Sequence, residues 1–71
     1  MLTVENLGTR LRDIRKARLM TQEQLHERAG VAVSTIVAIE HGKQFPRGET
    51  LRKLAEALGV TPEWLVIGRD V

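Results

Sequence analysis

Residues 21–40 read Thr21-Gln22-Glu23-Gln24-Leu25-His26-Glu27-Arg28-Ala29-Gly30-Val31-Ala32-Val33-Ser34-Thr35-Ile36-Val37-Ala38-Ile39-Glu40, and the order of residue types here decides the fold. Thr21 followed three residues later by Gln24 is a capping-box pattern, so a helix opens at Gln22. Leu25 and Ala29 lie one helical turn apart and form its inward stripe. Gly30 ends it, at the position where the backbone usually turns left-handed and glycine carries no steric penalty. Gly30-Val31-Ala32 is too short for anything but a tight turn, so a second helix from about Val33 must cross the first steeply. Ala29 supplies the small side chain that the crossing needs, while Leu25, Val31, Ile36 and Ile39 anchor one helix on the other. What remains on the outside of the second helix is Val33, Ser34, Val37 and Ala38. A solvated helix face carries Glu, Lys or Gln; this small, uncharged one is either a contact surface or an aggregation risk.

Outward from this stretch the pattern stays helical. The spacing predicts five helices, over about 4–19, 22–29, 33–41, 48–58 and 62–67, with no strand, repeat or low-complexity segment. Leu7, Leu11, Ile14 and then Arg18 or Leu19 recur at helical spacing in the first. Gly42 closes the third, and Lys43-Gln44-Phe45-Pro46-Arg47-Gly48 is a loop punctuated by Pro and Gly. Leu51, Leu54, Ala55 and Leu58 make an i, i+3, i+4, i+7 face that stops at Gly59. Thr61-Pro62-Glu63 opens the fifth helix with a capping hydroxyl, a Pro at the first helical position and an acid near the positive end of the dipole. Trp64, Leu65 and Ile67 are its expected apolar face. The glycines are read as helix-end residues. An all-α, compact globule follows, a single domain over residues 1–71; a lone helix pair with a tail would leave the fourth helix nothing to bury against.

Composition narrows the function. The chain has no run approaching the ~18 to 20 apolar residues of a membrane span. Its start, MLTVENLG, lacks the basic region and long apolar run of a signal peptide. Without Cys there is no disulfide and no thiolate metal site. The expected setting is cytoplasmic, with no membrane partner. Arg10, Arg12, Arg15, Lys16 and Arg18 crowd residues 10–18 with only Asp13 against them. Alone, that run reads as a solvated face; beside a helix presented to DNA, it becomes a phosphate-facing patch. His26 and His41 lie on different helices without an acid or thiol at ligand spacing, so no metal is expected. Ser34 has no histidine base and no strained glycine elbow, and no Gly-rich loop could cradle a phosphate. Phe45 and Trp64 are too few and too far apart for a base-stacking platform, and Trp64 reads as core or dimer packing. No enzyme, catalytic residue or cofactor is expected.

From Leu7 to about Gly68 the chain resembles the Cro/repressor-like helix-turn-helix proteins, often called the XRE family. The resemblance rests on Leu11, Arg15, Thr21-Gln22, Leu25, Gly30-Val31, Ser34-Thr35-Ile36, Ile39-Glu40, Gly42, Pro46, Leu51, Leu54-Ala55, Leu58-Gly59-Val60 and Trp64-Leu65, in order and at the family's spacing. Residues 58–65 are similar to the C-terminal end of lambdoid phage repressor DNA-binding domains. The resemblance implies a five-helix Cro/repressor-like domain that binds double-stranded DNA and regulates transcription, as a repressor and a homodimer on a pseudo-palindromic operator. Two copies would set their recognition helices about 34 Å apart. Base readout would fall to Val33, Ser34, Val37 and Ala38. Phosphate contacts would come from Gln22, Thr35, Lys43 and Arg47, with Arg10 added from the first helix. Arg15 and Glu40 match an ion pair that orients the third helix. Trp64, Val66 and Ile67 are the expected dimer surface, with Arg69 and Asp70 pairing across it. Since the chain stops after this domain, no ligand sensor is expected.

Three positions depart from the family pattern. Ala32 stands where the family has a capping Ser or Thr, and Arg47 stands where it often has Ser. The readers are usually Gln, Asn, Arg or Lys, whereas here only Ser34 can hydrogen-bond a base. Val33, Val37 and Ala38 can offer apolar contact to thymine methyl groups. That implies modest sequence discrimination, or reliance on phosphate contacts and DNA shape. It also leaves open a protein-interaction module, or an antitoxin-like regulator, whose third helix docks a protein partner.

Overall fold

The computed structural model describes residues 4–69. Over that range it contains α1 (Val4–Ala17), α2 (Gln22–Ala29), α3 (Val33–Glu40), α4 (Gly48–Leu58) and α5 (Pro62–Ile67), and no strand. Asp70 and Val71, which the sequence reading included in the dimer tail, lie outside the described residues.

Local chemistry explains most of the boundaries. At the start of α2, Thr21 Oγ1 accepts from the Gln24 amide at 3.0 Å while Gln24 Oε1 accepts from the Thr21 amide at 2.9 Å. Two of the helix's unsatisfied N-terminal donors are thereby met. Thr61 caps α5 through the Trp64 amide at 3.0 Å, with Pro62 next. By contrast α3 follows Ala32 and α4 follows Arg47 without any side-chain cap. The α3 helix ends at Glu40, one residue before its expected end, because His41 already leaves helical geometry and Gly42 takes a φ of 74°.

The largest departure is at the end of α1. The helix stops at Ala17, two residues short of expectation, in a left-handed reversal whose turning residue is Leu19, at φ 59°. The Met20 amide donates to Arg15 O and the Leu19 amide to Lys16 O, the paired bonds of a glycine-type C-cap formed here around a leucine. Leu19 therefore points outward, 89% exposed, and does not extend the apolar stripe.

The core is built from Leu7 and Leu11 of α1, Leu25 of α2, Val31 of the turn, Ile36 and Ile39 of α3, Leu54, Ala55 and Leu58 of α4, and Leu65 of α5. In α5 the partly buried flanks are Trp64 and Val66, while Ile67 is 40% exposed. With about 100° between successive residues, Leu65 at the centre of the buried side draws its two neighbours inward and turns Ile67 away. Val66, not Ile67, completes the apolar face.

One glycine lies inside a helix, contrary to the reading that placed them at ends. Gly8 is buried within α1, where a Cβ would collide with the Ile39 carbonyl and approach the Glu40 carbonyl to 3.1 Å. Its missing side chain lets α1 rest directly on the C-terminal backbone of α3. The α1 helix also packs on α5, α2 packs on α3 and α4, and α4 packs on α5.

Candidate nucleic-acid interface

The α3 helix is held from its inner side. Ile36 and Ile39 are fully buried, and Glu40 is buried as well. Arg15 of α1 reaches that carboxylate as a fork, Nε donating to Oε2 at 2.7 Å and Nη2 to Oε1 at 3.0 Å, while its Nη1 donates to the Met20 carbonyl at 2.8 Å. Gln22, first residue of α2, donates from Nε2 to Glu40 Oε1 at 3.1 Å. One carboxylate thus gathers three donors from two helices. Among the described residues no buried side-chain polar atom is left without a partner. That matters because a buried ion pair stabilises a fold only when its remaining lone pairs and protons are satisfied.

The outer side of α3 is different in kind. Ser34 is exposed, and Val33, Thr35, Val37 and Ala38 are half-buried. None of the three apolar ones packs against the core cluster. Just beyond the helix, the Lys43 amide donates to Ala38 O at 2.9 Å and the Gly42 amide to Ile39 O at 3.0 Å, which fixes the backbone from which the exposed Lys43 side chain springs. Pro46 is buried and ties down the loop, leaving Arg47 exposed at the mouth of α4. Ser34, Thr35, Val37, Ala38, Lys43 and Arg47 therefore sit on α3 and the loop leaving it. Gln22 adjoins them through Glu40, with its amide partly engaged there.

Arg10 does not join this group. Its Nε donates to the Leu65 carbonyl at 2.8 Å and its Nη2 to the Val66 carbonyl at 2.7 Å, at the far end of α5. Arg18 behaves similarly, its Nε donating to the Leu58 carbonyl at 3.0 Å. The basic run of α1 is thus divided. Arg10, Arg15 and Arg18 tie α1 to other elements, whereas Arg12 and Lys16 are exposed. The Arg15 tie was expected from the resemblance, but neither the solvated-face reading nor the phosphate-facing reading anticipated the ties of Arg10 and Arg18. The only cue was that four of the five cations in residues 10–18 are arginines, and a guanidinium can fork onto fixed acceptors. Gly8 was also missed, although a Gly inside a helical pattern costs about 1 kcal/mol relative to Ala and so calls for a packing reason.

On α5, Trp64 and Val66 are half-buried and Ile67 is exposed, and Trp64 borders an open concavity with Gly59, Val60 and Thr61. The histidines serve locally: His26 Nδ1 donates to Val31 O and His41 Nδ1 to Val37 O, each at 2.9 Å. Among the described residues no group of three His, Cys, Asp or Glu side chains is placed to hold a metal ion. No described helix is long and apolar enough to cross a membrane.

The profile of the helix-turn-helix family HTH_3 matches residues 11–65. The chain belongs to this family. Its fold is the all-α, five-helix Cro/repressor-like one, with α2 and α3 as the helix-turn-helix pair. Among relatives, it is 41% identical over 64 residues to the HTH-type transcriptional repressor RghR of Bacillus subtilis (strain 168), covering 89% of this chain and 47% of RghR. The chain spans about half the length of the curated regulators it matches first. Among solved structures it is similar to the P22 c2 repressor in complex with synthetic operator 9T, with a TM-score of 0.83 and 33% identity, over 89% of this chain and 96% of that one. It is also similar to the biofilm regulator SinR in complex with DNA, with a TM-score of 0.80 and 33% identity, over 83% of this chain and 95% of that one.

Proposed function

We propose that this helix-turn-helix domain binds double-stranded DNA through α3 and regulates transcription as a cytoplasmic repressor, by binding and not by catalysis, without a cofactor. The observation that carries this reading is the contrast between the two sides of α3. The inner side is locked by Arg15, Gln22 and Glu40, while the outer side carries small residues that neither pack on the core nor suit a solvated helix. A rigid helix with a small outer face fits a major groove. Ser34 is the hydrogen-bonding reader, and Val33, Val37 and Ala38 meet thymine methyl groups.

Phosphates are held by Thr35, Lys43 and Arg47, and by Gln22 through its remaining amide hydrogen. The first-turn amides of α2 and α4 add fixed donors toward anions. The domain pairs as a homodimer through α5, with Trp64, Val66 and Ile67 at the contact, and meets a pseudo-palindromic operator.

The test is a fluorescence anisotropy titration with random-sequence duplex at a series of salt concentrations. Log affinity falls with log salt at a slope of about −0.9 per phosphate neutralised. Folded, dimeric protein that fails to bind at low salt overturns the reading and moves the outer face of α3 to a protein partner.

A further inference from the structure

A six-residue helix is a weak platform for a dimer contact. Its last carbonyls have no partners within the helix. In α5 the Gly68 amide satisfies Trp64 O at 2.8 Å, and the next two carbonyls, Leu65 O and Val66 O, are met from outside by a single guanidinium, that of Arg10. Two neighbouring carbonyls suit a planar fork and do not suit the point charge of a lysine. The glycine that ends α5 makes room for it: at Gly68, φ 91°, a Cβ would stand 3.1 Å from Arg10 Nη1. A cation at a helix C-terminus also meets the negative end of the dipole.

The position of Arg10 along α1 gives this contact its wider meaning. Half a turn before it, Gly8 seats α1 on the last carbonyls of α3. About a turn and a half after it, Arg15 grips Glu40 of α3. One rigid helix therefore carries both the grip on the recognition helix and the grip on α5. A tilt of α5 relative to α1 is a tilt relative to α3, and a two-fold axis through α5 doubles it.

From this we infer that Arg10 is a positioning residue, which sets the separation of the two recognition helices by fixing α5 on α1, and is not a phosphate ligand. The inference rests on the proposed pairing through α5.

The experiment uses a duplex selected from a random pool by the wild-type protein, the same duplex with one central base pair inserted or deleted, and unselected random duplex. The variants are Arg10→Lys, Arg10→Gln and Gly68→Ala, the last leaving all charges in place while pressing on the guanidinium; circular dichroism melts check that each is folded. For all three, affinity for the selected duplex falls about tenfold while the preference for its spacing over the altered ones shrinks toward unity. On random duplex the salt slope of Arg10→Gln stays at the wild-type value. A slope smaller in magnitude by about 0.9 per protomer makes Arg10 a phosphate ligand and overturns the inference. An unchanged spacing preference in folded Arg10→Lys and Gly68→Ala overturns it too, leaving a purely local contact. Wild-type protein that binds as a monomer and ignores spacing overturns the α5 pairing itself, and the inference with it.

Discussion

Arg15 and Glu40, 25 residues apart in sequence, meet inside the protein through two parallel hydrogen bonds of 2.7 and 3.0 Å, both side chains nearly sealed from solvent. The pair joins α1 to the end of α3, and its value depends on completeness. Removing either partner strands a buried charge, which costs about 3–5 kcal/mol, whereas exchanging both for apolar residues of similar volume is often close to neutral. Urea unfolding of Arg15→Met, Glu40→Leu and the double variant is expected to show two severely destabilised singles and a double that recovers much of the loss.

Gly8→Ala is expected to destabilise the fold by about 1–3 kcal/mol, since the added methyl meets a backbone carbonyl that has nowhere to yield. A thermal melt measures that loss. Because the carbonyl belongs to the end of α3, duplex affinity should fall further than unfolding alone explains when it is measured well below the melting temperature.

Leu19→Gly should move stability the other way. Leu19 holds a left-handed backbone that costs an L-residue about 1–2 kcal/mol, and its exposed side chain contributes little packing. Part of the gain is lost to the greater freedom of glycine in the unfolded chain, leaving about 0.5–1 kcal/mol. Denaturant midpoints should rise, with the salt slope of DNA binding unchanged.

The uncapped start of α3 offers another gain. Ala32→Ser supplies the missing acceptor for the first-turn amides of α3 and should add about 0.5–2 kcal/mol. An unfolding midpoint no higher than wild type would mean that those amides are already satisfied.

Two measurements probe the proposed DNA contacts from opposite sides. Lys43→Ala should reduce the magnitude of the salt slope by about 0.9 per protomer and weaken all sequences alike. Replacing thymines of a selected site by uracil removes only C5-methyl groups, and should weaken binding at the positions facing Val33, Val37 and Ala38. Affinity indifferent to every such replacement would refute methyl readout.

These features differ in how far the sequence reveals them. The start of α2 and its end at Gly30 follow from residues at most a few positions apart, Thr21 with Gln24 and Gly30 with His26, so their signals are local. The core was legible for the same reason, since Leu51, Leu54, Ala55 and Leu58 declare a face by spacing alone. The end of α1 was not, because the left-handed turn fell on Leu19, a residue type that rarely takes it. The partners of Arg10 lie 55 and 56 residues away. Nothing near Arg10 in the chain distinguishes a side chain bound to carbonyls from one bound to a phosphate.

The separation of inner from outer face on α3 has a consequence for how such a chain can diverge. Ile36, Ile39 and Glu40 hold the helix in place, while Val33, Ser34, Val37 and Ala38 stand apart from the core cluster. Mutations at the second set are therefore shielded from the demands of folding, so drift can explore new surfaces there while the scaffold stays under constraint. The same eight-residue helix is conservative and exploratory at once, according to which way each residue points.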